Sequence, residues 1–424
     1  MPSSTPFHLI VYGATSFVGQ ILTRYLAETY GVGNSVGNGL HWAIAGRSQS
    51  KLESVRAQTL TPLGIQPDNL PIILADAADD AALNTLCNQT RAVVSTVGPY
   101  ALYGETLVKI CAQSGTDYCD LTGEPQWIRR MLERYEATAK ASGARIVHSC
   151  GFDSVPSDMG VWFLQEESYR RYGKPAVQSK MRFKAGKGGV SGGTVASMVE
   201  LTKEVIANPA LKKELANPYS ICPAEHGFTV RQNTMSKPAQ DTDMVSHTAP
   251  FIMAAINTRI VFRSNALREN YYGHNFSYNE AVLTGAGFKG WLGARIYSLG
   301  IGAFLLGAAL KPTRFLLEKY VLPKPGEGPS PQAQEEGFYD LRFIGRTEDG
   351  QLTLTKVTGD RDPGYGSTAK MLGEAIVGLA LDYYDTDGNK TGKSGGFWTP
   401  ASLFDERYIE RLQNKAGIKF EVLD

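Results

Sequence analysis

Residues 9–19, LIVYGATSFVG, run from a short apolar strand through a glycine turn into the start of a helix. A turn of this kind brings backbone N–H groups and the amino end of a helix to face a pyrophosphate. Gly13 permits the tight turn, and Gly19 permits close packing of helix on strand. Ser16 stands where the usual pattern has its middle glycine; its small side chain admits a phosphate and its hydroxyl can donate to one. Thr15, Phe17 and Val18 complete the loop. With a strand before it, a helix after it and a second βα unit behind, the segment is read as a dinucleotide site.

The second strand ends in Ala45-Gly46-Arg47-Ser48. An NAD site places an acid there to accept from the ribose 2′-hydroxyl. Arg47, beside Ser48 and one turn before Lys51, suits a 2′-phosphate held by paired hydrogen bonds, so NADP(H) is the expected cofactor. Asp76, after the third strand, is placed to meet the adenine side. Ser95, Val97, Gly98 and Pro99, after the fourth, are expected near the nicotinamide.

Outward from this turn, short apolar runs alternate with longer amphipathic ones over the first 150 residues. Leu9–Tyr12, Trp42–Ala45, Ile72–Leu74, Ala92–Thr96 and Arg145–His148 read as strands. Val18–Tyr30, Lys51–Thr59, Thr106–Ser114 and Gln126–Ala141 read as helices. Strands without polar alternation belong to a parallel sheet covered on both faces. The fold class is therefore α/β, a Rossmann-type doubly wound parallel sheet. After Pro156 the alternation lapses, and Phe338–Gly345 with Leu352–Val357 read as a hairpin about Asp349-Gly350. The expected organisation is a dinucleotide-binding domain over 1–155 and 360–424, with an inserted α+β domain over 156–359 for substrate or dimerisation. The segments 31–39 and 186–194 read as glycine-rich loops, and 322–334 as a linker.

Forty-three Lys and Arg against 42 Asp and Glu leave a net charge of +1, which excludes nucleic-acid binding by a bulk basic surface. Five cysteines with no C-x-x-C pair exclude a disulfide framework and point to a reducing, cytoplasmic setting. The amino end has no signal-peptide pattern. One run complicates a purely soluble reading: Ile296–Leu310 is uncharged, and with Trp291 and its flanking cations it forms an apolar helix near 291–317. It falls short of the roughly 20 apolar residues of a span. It reads first as a core helix and second as a membrane-surface or partner-docking helix.

GATSFVG, AGRSQSKL, STVGPYALYGETLV, GTDYCDLTGEPQW, GARIVHSCGFDSVPSD and DPGYGSTAKMLGEA occur in that order. Together they resemble the saccharopine dehydrogenase-like oxidoreductases, in the branch that contains the mycobacterial trans-acting enoyl reductases. The resemblance implies a Rossmann domain completed by the C-terminal segment, an inserted α+β domain, and NADP(H) contacts at the glycine turn, Arg47 and the Ser95–Tyr100 loop. It leaves the substrate open.

Hydride transfer to an activated double bond needs a proton donor and a group that polarises the acceptor. Tyr100 and Tyr103 are candidates by position beside the nicotinamide. Asp120, within a Tyr118–Glu124 segment placed after the fifth strand, and Asp153, at the next strand end, are the acidic candidates. Each has a structural alternative, aromatic packing for the tyrosines and helix capping for the acids. No metal site is expected. The leading reading is an NADP(H)-dependent oxidoreductase for an acyl or lipid-like unsaturated substrate. The alternatives are a saccharopine-type C–N oxidoreductase and a non-catalytic nucleotide-binding protein docked on membranes. Self-association as a homodimer is open.

Overall fold

The computed structural model describes residues 5–33, 39–188, 192–310, 313 and 328–424. Parts of the expected 31–39 loop, 186–194 loop and 322–334 linker, and the end of the 291–317 segment, lie outside them. Seven strands build one all-parallel sheet: β1 (Phe7–Tyr12), β2 (Trp42–Gly46), β3 (Ile72–Leu74), β4 (Thr90–Ser95), β5 (Asp117–Asp120), β6 (Arg145–Val147) and a late strand, β13 (Gly396–Trp398). Their order is β13-β6-β5-β4-β1-β2-β3. The helices between them are α1 (Phe17–Tyr30), α2 (Gln49–Leu60), α3 (Asp80–Cys87), α4 (Tyr100–Tyr103), α5 (Glu105–Ser114) and α6 (Pro125–Ser142). Successive residues of a strand face opposite sides. Leu9, Val11, Ile44 and Val94 accordingly join one apolar cluster, and Ile10, Tyr12, Ala43 and Val93 join another. Both faces are dry, which is why these strands read as unbroken apolar runs.

The chain leaves this sheet through α7 (Val155–Tyr172) and forms β7 (Gln178–Lys187), α8 (Gly192–Ala207) and α9 (Leu211–Ala216). It continues through β8 (Ala239–Asp241), β9 (Ser246–Pro250), α10 (Ala254–Leu267), β10 (Ser277–Gly285), α11 (Gly287–Ala309), β11 (Phe338–Arg346) and β12 (Leu352–Gly359). With a last strand, β14 (Ile418–Leu423), the second sheet is mixed, in the order β14-β12-β11-β7-β10-β9-β8, with β7 and β10 parallel and the other pairs antiparallel. A Cβ at Gly160 would stand 2.3 Å from Phe343 Cζ, so glycine lets α7 lie directly on β11.

Two expectations are corrected. The 360–424 segment divides between the sheets: the helix Thr368–Leu381 packs on β1, β4 and β5, while the last strand, β14 (Ile418–Leu423), pairs with β12. Its alternating burial suits a half-covered antiparallel edge, not a doubly covered parallel one. The apolar run is not a core helix either. Only 11% of its most apolar stretch is buried, because α11 lies along the outside of β9 and β10.

The returning tail is latched to the first helix. Glu374, fully buried, accepts from Tyr25 Oη at 2.6 Å and Tyr30 Oη at 2.7 Å, and faces Arg411 at 3.4 Å. Arg411 also holds Asp382 across a two-pronged pair. Buried hydroxyls need such partners. Here one carboxylate serves two of them.

Candidate active site

The strand order reverses between β1 and β4, and the predicted cofactor residues gather at the carboxyl edge of the sheet around that point. Gly13 ends β1 at φ +87°, a conformation that favours glycine. A Cβ there would stand 2.5 Å from Val97 Cγ2, and one at Gly19 would stand 2.3 Å from Gly13 O. The two glycines thus allow the turn and the packing that the sequence implied. Ser16 caps α1, its Oγ accepting from Gly19 N at 2.9 Å. Its hydroxyl donates to Thr96 Oγ1 at 2.9 Å, and Thr96 donates in turn to Gly13 O at 2.9 Å. Ser16 therefore ties the turn to β4, and its proton is spent inside the protein. The N–H groups of Phe17 and Val18, at the open end of α1 beyond Thr15, are the donors free to meet an anion.

On the β2 side, Arg47 is exposed and makes no hydrogen bond or ion pair with the described residues. Ser48 opens α2 without using its side chain as a cap, and Asp76 stands exposed after β3, accepting from Ala78 N at 2.9 Å. On the other side, Ser95 ends β4, and Val97, Gly98 and Pro99 lead into α4 through a cis Gly98–Pro99 bond. Arg47 and the end of β6 lie four strand spacings apart, about 19 Å. That is a span for an extended dinucleotide laid over the crevice. The glycine turn, the free N–H groups and the unpaired cation fit NADP(H).

The acidic candidates stand at the ends of β5 and β6. Tyr118, Cys119 and Asp120 are part of β5 itself. Asp120 is wholly buried; Oδ2 accepts from Tyr118 Oη at 3.0 Å and lies 2.7 Å from His148 Nδ1, while Oδ1 accepts from the backbone of Thr122 and Ser149. It joins the ends of two strands. His148 Nε2 has no partner and sits among the rings of Tyr118, Trp127 and Phe397.

Tyr100 is buried, and its hydroxyl donates to Ser95 O at 2.9 Å. Burial, reinforced by the charge of Asp120, holds that hydroxyl protonated. Tyr103, half exposed, lies on the rim.

Asp153 differs from both. It is half-buried in the turn between β6 and α7, and its carboxyl bonds no other residue among those described. Burial, with a smaller push from Asp120, raises it to about 7. A Cβ on Gly123 would stand 3.5 Å from its Oδ1, so the bare glycine leaves that oxygen open.

Three contacts lie beyond the sequence reading. Glu124, which the sequence offers with Asp120 for orienting substrate or moving a proton, instead accepts from Tyr100 N at 3.0 Å, Ala101 N at 2.9 Å and Ser197 Oγ at 2.8 Å, clamping the loop after β4 to α8 of the second sheet. Arg130 and Glu204 add an ion pair at 3.2 Å between α6 and α8. The turn Asp362–Ser367, held by Asp362 accepting from Tyr365 N and Gly366 N, places Tyr365 edge-on to Phe17. Its only prior signal was the DPGYGS string. Phe152 packs edge-on to Tyr339 at 4.8 Å.

Residues 9–147 match the family model of the saccharopine dehydrogenase NADP binding domain. A Mycobacterium tuberculosis protein named among the trans-acting enoyl reductases is 36% identical over 430 aligned residues, covering 99% of this chain and 98% of that one. The trans-acting enoyl reductase of Mycobacterium ulcerans is 33% identical over 424, covering 96% and 95%. The saccharopine dehydrogenase (L-Glu forming) of Saccharomyces cerevisiae, in its apo form, shares the fold, with a TM-score of 0.51 at 12% identity over 98% and 99% of the two chains. With an NADP-binding domain at its amino end and full-length relatives at this identity, the chain belongs to the saccharopine dehydrogenase-like family of NADP-dependent oxidoreductases, alongside the trans-acting enoyl reductases.

Proposed function

We propose that the protein reduces a carbon–carbon double bond conjugated to an acyl group, with Asp153 as the proton donor. The carrying observation is the Asp153 carboxyl: raised to about 7, free of side-chain partners, and opposite Gly123 at the reactive end of the site. A donor with a pKa near the working pH is what protonation of the product carbon requires. NADPH, when bound, supplies the hydride to the carbon farther from the carbonyl. Asp153 delivers the proton to the nearer carbon and recovers one from solvent. Asp120 and Tyr100 act as positioning residues, fixing the ends of β5, β6 and β4, and Tyr103 lines the entrance. Arg47, with Ser48, takes the 2′-phosphate; Asp76 faces the adenosine; the Phe17 and Val18 N–H groups take the pyrophosphate.

The names of the relatives favour an enoyl substrate over an imine. The protein acts in the cytoplasm, and α11 is assigned to contact with a membrane surface in preference to self-association.

The test is NADPH oxidation across a panel of 2-enoyl thioesters, cyclic imines and 2-keto acids with amino acids. Turnover confined to the enoyl thioesters is expected. Turnover confined to the C–N pairs would overturn the reading.

A further inference from the structure

The second sheet carries a helix whose outer face has no partner among the described residues. α11 is 23 residues long, about 34 Å at 1.5 Å per residue. Its inner face is small: Gly290, Ala294 and Ala308 are buried, the first two at the β9–β10 end and Ala308 beside Val199 of α8. On the outer face Phe288, Leu292, Ile296, Leu299, Leu306 and Leu310 recur at three-, four- and seven-residue spacing, and each is exposed. Phe288 and Leu299 are each 73% exposed. Trp291 joins them, with Arg295 stacked on its ring at 3.7 Å. Val245, 75% exposed in the β8–β9 turn, extends the apolar surface beyond the helix start, where Ser246 Oγ accepts from Gly285 N.

The charge on this face has one sign. From Ala281 to Leu310 the chain carries Lys289 and Arg295, both exposed, and no acid. The acids of the neighbouring turn are neutralised: Asp241 pairs with Arg182, and Asp243 with Lys180 and Arg346. A second copy meeting this face by two-fold symmetry would bring like cations together with nothing to offset them. Anionic headgroups supply that offset, and Trp291 and Tyr297 are the ring types that settle at the headgroup level.

We propose that α11 lies in the plane of an anionic lipid surface, its outer face sunk among the acyl chains and Lys289 and Arg295 at the phosphates. Because its first turns are packed on β9 and β10 and its last turn on α8, both ends stay on the protein and the helix lies on the membrane without crossing it. α8 is shared with the cleft through the Ser197–Glu124 bond, so the lipid-facing helix is one helix away from the active site. The substrate side of this inference, a lipid-borne acyl chain entering beside α8, rests on the enoyl-reductase reading; the docking itself does not.

The experiment is flotation of the full chain with vesicles of phosphatidylcholine, with and without phosphatidylserine. Wild type should float with the anionic vesicles, and raised salt should release it. Lys289→Gln and Arg295→Gln should each weaken binding about fivefold. Leu299→Glu with Leu306→Glu should abolish flotation while NADPH binding and turnover of a soluble enoyl thioester stay at wild-type level. Wild type left in solution at low salt, or a double variant that still floats, would overturn the proposal. A wild-type dimer that the double variant breaks, without vesicle binding, would assign the face to a second copy. Flotation without thioester turnover would retain the docking and refute the reductase reading alone.

Discussion

Asp153→Asn replaces the proposed donor with a group of the same shape that cannot give up a proton at neutral pH. With a carboxyl at about 7, half of the wild-type enzyme carries the proton at pH 7. The protonated form is the active one, so the rate should hold on the acid side and fall about tenfold per pH unit above 7. At about pH 9 only about 1% of the plateau should remain. Losing a general acid costs about 10²- to 10⁴-fold, so the variant should be slower by that factor, with no alkaline limb.

The assay is the initial rate of NADPH loss with a soluble enoyl thioester, alongside NADPH binding by fluorescence, which should not change. A second readout has the opposite sign. A carboxyl whose folded value lies above its unfolded value of about 3.9 destabilises the fold as pH climbs from about 4 to 7. Asp153→Asn should therefore raise Tm at alkaline pH and leave it nearly unchanged at acid pH. A variant that keeps more than about a tenth of the wild-type rate, or keeps the alkaline limb, would refute the assignment of Asp153 as donor.

Arg47→Ala should weaken NADPH by about 2 kcal/mol, about 30-fold, and leave NADH unchanged in a fluorescence titration; an unchanged preference would show that another group reads the 2′-phosphate. Gly19→Ala places a Cβ 2.3 Å from the Gly13 carbonyl, so NADPH binding should be lost, and normal affinity would contradict the turn geometry. Glu374→Ala strands two tyrosine hydroxyls and part of Arg411, costing about 4 kcal/mol and lowering Tm by about 5 °C in a thermal melt. A shift under about 2 °C would mean that the tail is held by packing alone.

What the linear sequence discloses here is local. The glycine turn at 13–19 is read directly because a positive φ and a close helix–strand approach are properties of contiguous residues. The apolar runs of β1, β2 and β4 disclose a sheet covered on both faces for the same reason. β5 is different. Asp117 and Asp120 are polar residues buried in a strand, legible as such only once Arg145, Lys390 and His148 arrive beside them. Asp153 is a candidate from the sequence, but its raised carboxyl depends on burial and on the charge of Asp120, which only the folded chain supplies.

The Glu124–Ser197 clamp joins residues 73 apart in the chain. No short pattern marks it, because its worth is in the meeting of two elements.

The same division holds for α11. Its composition announced an apolar helix, but the direction in which it turns its large side chains was settled by small residues. Gly290, Ala294 and Ala308 let β9, β10 and α8 take the inner face and leave the leucines outside. From the sequence alone come the Rossmann class, NADP(H) and the site's place at the strand ends, because these follow from backbone geometry and residue type over short spans. The tertiary structure alone decided which acid is raised and left without a side-chain partner among the described residues, where the last strand pairs and which face of α11 meets solvent. Burial and proximity are set by residues far apart in the chain, and only the folded chain brings them together.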